Sequence, residues 1–379
     1  MSDGLVTWAF PTTIVFGAGA VRTVADHVKR VGGARALVVC DAGVVKVGIA
    51  ERVRALLEEG GIAAALYSDV DPNPVEKNVF DGVAAYAAHG AQCVVSVGGG
   101  SPLDTAKLIA LTVTHDRPLV DYDDATGGDR FIGAGVPPIV AIPTTAGTGS
   151  EVGRSGVVTL AATGRKTVIF SPHLLARAAL LDPELTRSMP NRVTAATGFD
   201  ALTHCLEAYV SLGDHPMADA IALGGLELCA AHLVRAVEHG DDLGARGGMM
   251  KAAMMGAVAF QKGLGACHSL AHPLSSEKGM HHGLANALGL PAVIEFNEAV
   301  AHERLDRVRA LLDPSAKTCA EAVRRLRARV GLPEGLRAEG VTEADVAKLA
   351  DKAFEDACHR SNPRPCTRED LASLYRASL

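Results

Sequence analysis

Residues 93–113 read CVVSVGGGSPLDTAKLIALTV: a β-branched run, three successive glycines, then an unbroken helical pattern. A strand that passes through glycine straight into a helix is the repeating unit of open α/β sheets. The flanking chain repeats the alternation. Residues 12–16 (TTIVF), 36–40 (ALVVC) and 139–142 (IVAI) are further short apolar runs, separated by helical stretches such as 45–59 and 102–113. A mostly parallel, Rossmann-like sheet with helices on its faces is therefore expected. Residues 152–170 read instead as a β-hairpin turning at 162–165 (ATGR), and 178–181 supply a last strand. Beyond Arg187 the texture becomes long, Ala/Leu-rich and helix-periodic. This predicts an α/β domain over residues 1–187 and an all-α domain over residues 188–379.

Composition narrows the function. Of 379 residues, 48% are hydrophobic and 21% charged, which suits a packed globular protein. A net charge of −6 and only 4% aromatic residues argue against nucleic acid or an anionic membrane surface as partner. No uninterrupted apolar run reaches the roughly 18 residues of a membrane span. The opening MSDGLVTWAFPTT lacks the basic and apolar regions of a signal peptide. The eight cysteines are scattered without a CxxC pair, so buried free thiols in a reducing cytoplasm are expected.

Two loops point to a polar ligand. In Gly98-Gly99-Gly100-Ser101, glycines let backbone N–H groups approach a pyrophosphate at a helix N-terminus; a plain tight turn is the alternative. The loop PTTAGTGSE, residues 143–151, again follows a strand and gathers hydroxyls and glycines. Both lie where open sheets bind ligands, at strand C-termini. Asp41 ends another strand, where it would either bond ribose hydroxyls or serve as a turn residue.

The densest signal lies in the helical half. Asp200 and His204 are four apart in a helical pattern, as are His268 and His272, so each pair leaves one face. His281 and His282 follow at a helix start, placing four of 14 histidines within fifteen positions. Imidazole and carboxylate donors suit a divalent transition metal, Fe²⁺ or Zn²⁺. Isolated core or capping histidines are the alternative.

These segments resemble the iron-containing (group III) alcohol dehydrogenases. GGGSPLDTAK, IPTTAGTGSEV, DPELT, TAATGFDALTHCLEAY, GLGACHSLAHPL and HHGLANA follow its signature blocks in order, from FGAGA near residue 16 to NPRPCTREDLASLY near the end. The resemblance implies a dehydroquinate synthase-like fold, an α/β domain followed by a helical one. It implies a metal held by Asp200, His204, His268 and His282, with His272 beside nicotinamide and substrate. It also implies NAD on Asp41, Asn73, Gly98, Gly99, Gly100, Ser101, Asp104, Thr144, Thr145, Thr148, Ser150 and Lys166.

Within the family, EVGRSG, MMGAVAFQKGLGACHSL and CHRSNP look like the bacterial 4-hydroxybutyrate dehydrogenases. Many relatives have threonine-proline-phenylalanine where this chain has Gly153-Arg154-Ser155, and an uncharged residue at Lys262. With Lys278, these basic positions suggest a carboxylate-bearing substrate; solvated charges or contacts to cofactor phosphates are the alternative.

The expectation is hydride transfer between a small primary alcohol, such as 4-hydroxybutyrate, and NAD, with His272 on the proton route. A broad dehydrogenase of neutral alcohols and a metal-dependent, NAD-using lyase or synthase are the competing activities. A metal-dependent hydrolase would have no use for the glycine loops. Partners expected are an alcohol or aldehyde and further copies of the chain, as a dimer or higher.

Overall fold

The computed structural model describes Phe10 and residues 12–162 and 164–379. The expectation drawn from the N-terminal stretch thus falls almost wholly outside the described residues. Two compact units emerge: Thr12–Thr145 with Gly149–Ser188, and Met189–Leu379 joined by Ala146–Thr148.

The first unit carries strands β1 (Thr13–Phe16), β2 (Arg35–Val39), β3 (Ala63–Tyr67), β4 (Cys93–Gly98), β5 (Ile139–Pro143), β6 (Ser155–Thr159), β7 (Lys166–Phe170) and β8 (Ala178–Leu181). Six pair in parallel in the order β1-β8-β5-β4-β2-β3, while β6 and β7 form a separate antiparallel hairpin. The hairpin's turn contains Thr163, outside the described residues.

Its helices are α1 (Val24–Arg30), α2 (Ala42–Lys46), α3 (Ile49–Glu59), α4 (Glu76–His89) and α5 (Gly100–Thr114). Both sheet faces are buried, which is why the central strands read as continuous apolar runs. Leu37, Val39 and Val94 pack with Val79, Tyr86 and Leu103 of α4 and α5. Ala36, Val38, Val95 and Val97 pack with Val24, Val28, Val53 and Leu57 of α1 and α3. The single helix expected over residues 45–59 is two, broken at Gly48, whose φ of 78° ends helical hydrogen bonding.

The strand order reverses beside β2. From β2 the chain goes outward to β3, then returns to β4 on the other flank of β2. Crevices outside the strand C-termini at such a point are where open α/β sheets bind ligands.

The second unit is helical: α6 (Asn191–Val210), α7 (Pro216–Glu238), α8 (Leu243–Ala259), α9 (Ala266–Lys278), α10 (His282–Leu312), α11 (Cys319–Arg329), α12 (Glu343–Glu355) and α13 (Arg368–Ser378). No strand occurs among its described residues. Helix α6 is buried along almost its whole length, against α7, α8 and α10. By length and mean hydropathy of 1.5, α7 alone among the described helices could cross a membrane. It carries Asp219, Glu227 and Arg235, however, and packs on α6 and α8.

Candidate metal centre and dinucleotide loops

Helix α6 sets three acidic or basic side chains on one face, because Asp200, His204 and Glu207 are spaced by four and three residues. Helix α9 contributes His268 and His272, and the start of α10 contributes His282 and Asn286. Ligand-type atoms of Asp200, His204 and His268 all lie within 4.8 Å of one another. The rings of His204 and His268 stack 4.6 Å apart, and that of His282 is 5.4 Å from His268. His282 Nε2 stands 3.6 Å from Asp200 Oδ1. The approach of α10 depends on Gly283, where an added Cβ would fall 2.2 Å from the Ala196 carbonyl oxygen.

The electrostatics favour neutral imidazole at His204. Burial pushes its pKa down to about 4, with the Asp200 charge opposing and His268 assisting. His268 moves the other way. Burial works strongly against its charged form, but the hydrogen bond and charge of Glu207, with Asp200 and Asp356, outweigh it. Asn286 Nδ2 donates to Asp200 Oδ1 over 2.8 Å and lies 3.4 and 3.3 Å from Nε2 of His268 and His282.

This donor set fits a divalent ion. Three imidazoles and one carboxylate converge with almost no solvent contact at Asp200, His204 and His268. The buried Nδ1 of His204 has no hydrogen-bond partner, a costly state for a polar atom unless a ligand completes it. Ligands around one ion at about 2.1 Å stand no more than about 4.2 Å apart, so the cluster needs only small adjustments.

His272 stacks on His282 with ring centres 5.3 Å apart. Its Nδ1 is bonded to Asp356 Oδ2 at 2.7 Å, and Asp356 Oδ1 accepts from the Ser269 hydroxyl and the Cys358 N–H. Although burial raises the Asp356 pKa, the charge and hydrogen bond of His272, with those from Ser269 and Cys358, hold it far below the carboxylate range. Glu207, Asn286 and Asp356 did not emerge from the sequence. Asn286, four residues after His282 on one helix, was within reach of spacing; Glu207 and Asp356 meet partners 61 and 84 residues away.

In the first unit, Asp41 lies just beyond β2 and Gly98–Ser101 run from the last residue of β4 into α5, β2 and β4 being the adjacent strands of the switch point. Asp41 Oδ1 caps α2 by accepting the Val44 N–H. A Cβ on Gly98 would come 2.7 Å from Pro102, and one on Gly99 3.3 Å from Thr145. The loop thus leaves a bare backbone cradle at the N-terminus of α5, which suits a phosphate. Asn73 sits in the loop whose Pro72 carbonyl accepts the Ser101 hydroxyl. Thr144 donates its N–H to Gly98. Thr148 falls with the helical unit, and Lys166 opens β7.

Asp104 and Ser150 are turned toward each other. The Ser150 hydroxyl donates to Asp104 Oδ1 over 2.5 Å, Val157 N–H donates to Oδ2, and buried Lys107 donates to Ser150 Oγ. Both Asp104 oxygens are therefore engaged in bracing the two loops.

The basic residues differ in availability. Lys262 is buried in an ion pair with Asp219 and also donates to the Tyr209 carbonyl. Lys278 pairs with Asp345 at 2.7 Å. Each charge is already met by a carboxylate. Half-buried Arg154 lies 5.2 Å over the Phe170 ring and has no carboxylate partner among the described residues.

Comparison with known proteins gives a consistent result over the whole chain. Residues 11–183 match the family model for iron-containing alcohol dehydrogenase, and residues 194–379 match the C-terminal Fe-containing alcohol dehydrogenase model. The chain is 41% identical to 4-hydroxybutyrate dehydrogenase of Cupriavidus necator, over 97% of this chain and 98% of that one. The crystal structure of a 1,3-propanediol oxidoreductase superposes with a TM-score of 0.95 at 36% identity, covering 99% and 100% of the two chains. Sulfoacetaldehyde reductase from Bifidobacterium kashiwanohense, in complex with NAD⁺, gives 0.89 at 30% identity and 99% coverage of each.

Proposed function

The chain belongs to the iron-containing alcohol dehydrogenase family, and we propose that it is an NAD-dependent, metal-dependent dehydrogenase interconverting 4-hydroxybutyrate and succinic semialdehyde. The observation carrying the metal part is the buried convergence of Asp200, His204 and His268, with His282 beside them. These four would hold the ion, Fe²⁺ in the first instance and Zn²⁺ in the second. When bound, the ion supplies Lewis acidity for a hydroxyl or carbonyl oxygen, and NAD supplies the hydride acceptor.

The chain's own residues do the rest. With Nδ1 held by Asp356, His272 has Nε2 left to take or return the alcohol proton. Gly98 to Ser101 would offer backbone N–H groups to the pyrophosphate, with Thr144 bonded to Gly98, Thr145 against Gly99 and Thr148 further along the same threonine loop. Asp41, through the oxygen not spent on its cap, would bond the ribose hydroxyls and repel a 2′-phosphate. Asn73 and Lys166 complete the cofactor set, while Asp104 and Ser150 act on it by bracing the loops.

Arg154 supports the anionic substrate. A half-buried guanidinium with no carboxylate partner among the described residues is suited to grip one through two parallel hydrogen bonds. Both 4-hydroxybutyrate and sulfoacetaldehyde, named for the relatives above, are anions.

The test is spectrophotometric. Purified protein with NAD and Fe²⁺ or Zn²⁺ should generate NADH from 4-hydroxybutyrate, lose activity to a chelator and regain it with metal. Full activity in metal-free protein would refute the metal reading. A bond to a charged group is worth about 1.5–3 kcal/mol, so Arg154→Ala should lower kcat/KM for 4-hydroxybutyrate about tenfold to a hundredfold. Activity on 1-butanol should hardly change. Equal efficiency of the wild type on 1-butanol and 4-hydroxybutyrate would leave a dehydrogenase of neutral alcohols.

A further inference from the structure

Glu207 is a fully buried carboxylate to which neither the family signature nor the proposed chemistry gives a task. It stands on α6 three residues after His204, with its side chain only 1% exposed. Each oxygen has one donor. Oε2 bonds His268 Nδ1 at 2.6 Å, and Oε1 accepts the Cys267 N–H over 2.7 Å. Cys267 lies in the first turn of α9, so Glu207 also meets the positive end of that helix. The two contacts together explain how a buried carboxylate is tolerated.

We propose that Glu207 is a positioning residue for the metal centre: it holds the proton of His268 on Nδ1 and so keeps the Nε2 lone pair directed at the ion. This rests on the metal reading given above. A second contact, on the other side of the ring, is compatible with the same tautomer. The Asn286 amide must present its nitrogen to Asp200, because a carboxylate only accepts. That nitrogen, with a second N–H to give, lies 3.4 Å from His268 Nε2 and 3.3 Å from His282 Nε2, a placement compatible with an accepting Nε2 on His268. Carboxylate and amide thus hold opposite edges of one imidazole. A hydrogen-bonded carboxylate also makes the imidazole a more basic ligand, and loss of such a partner typically weakens metal binding tenfold to a hundredfold.

Glutamine makes the test specific. Glu207→Gln keeps the shape but has one acceptor oxygen for two donors. With its oxygen on Cys267 N–H, its NH₂ meets Nδ1 and drives the proton to Nε2, the ligand edge. Asn362→Ala is the control. Asn362 Oδ1 accepts the Ala266 N–H at the same helix start, and its side chain otherwise bonds Asn297 and the Arg364 carbonyl, not a histidine. Zn²⁺ affinity is measured by chelator competition, with the melting temperature and histidine ¹⁵N spectra of the metal-free proteins.

We expect Glu207→Gln to bind Zn²⁺ tenfold to a hundredfold more weakly, with the His268 proton moved to Nε2. Asn362→Ala should melt earlier yet keep wild-type affinity. Wild-type affinity in Glu207→Gln, or equal weakening in Asn362→Ala, overturns the proposal and leaves Glu207 a helix cap. A wild type that takes up no Zn²⁺ overturns the metal reading itself, and the proposal with it. Should Glu207→Gln fail to fold, the metal-free wild type decides: a neutral His268 whose single proton sits on Nε2 overturns the proposal.

Discussion

Gly283→Ala is the sharpest probe of how the metal centre is assembled. The new Cβ would stand 2.2 Å from the Ala196 carbonyl oxygen and 3.1 Å from Asp200 Cβ. Both partners belong to buried helix α6 and have little room to yield. Reaching even 3.0 Å requires the start of α10 to retreat by 0.8 Å. His282 is the preceding residue and moves with it. Metal sites tolerate about 0.2 Å of error in ligand distance, so the retreat is roughly four times what His282 can lose and still bind.

Two effects should follow. Overpacking of this kind costs about 1–3 kcal/mol, which lowers the melting temperature of a unit this size by about 2–12 °C. Zn²⁺ affinity should fall at least tenfold. The control is Gly289→Ala on the same helix, where the nearest atom to a new Cβ is Leu270 Cδ1 at 3.6 Å, an ordinary contact. Calorimetry of the metal-free proteins and chelator competition measure both effects. Wild-type Zn²⁺ affinity in Gly283→Ala would mean that His282 is not a ligand or that α10 does not set its place.

Asp41→Ser should keep a cap on α2 while removing the charge, so discrimination against NADP should shrink about tenfold or more; unchanged cofactor preference in steady-state kinetics would place Asp41 away from the ribose. Glu151 offers a pH test, because burial raises its pKa to about 7 from a usual 4.5. Between those values the unfolded chain has released a proton that the native protein keeps, so native stability falls as pH rises. Glu151→Gln lacks this loss and should gain about 3 kcal/mol on wild type between pH 4 and pH 8. Urea titrations showing the same difference at both pH values would refute the shift.

The sheet was legible in the sequence where the chain is buried on both faces. Strands β2, β4 and β5 read directly as apolar runs, and glycine marked the turn into α5. Strand β3 was not seen, because AAALY is an edge strand, only partly buried and rich in helix-favouring alanine. Spacing on single helices exposed the pairs Asp200–His204 and His268–His272. It could not expose contacts closed by folding. Asp356 reaches His272 only through the C-terminal segment, and Asp219 and Asp345 take up Lys262 and Lys278 from 43 and 67 positions away. Charges near a motif in sequence are thus a weak guide to charges free to bind a substrate.

The spread of the helical unit's contacts along the chain also fixes when the centre can exist. Asp356, the carboxylate that holds His272, comes 156 positions after Asp200, and Asn362, bonded at the head of α9, six positions later. At roughly 5–20 residues per second, a ribosome needs about 8–31 s to pass from the first of these residues to Asp356. All strands of the α/β unit are complete by Leu181, so that unit can form while the histidines wait for their partners. The four proposed metal ligands have all been synthesised by His282, whereas a chain ending before Asp356 would leave His272 without the carboxylate that holds it.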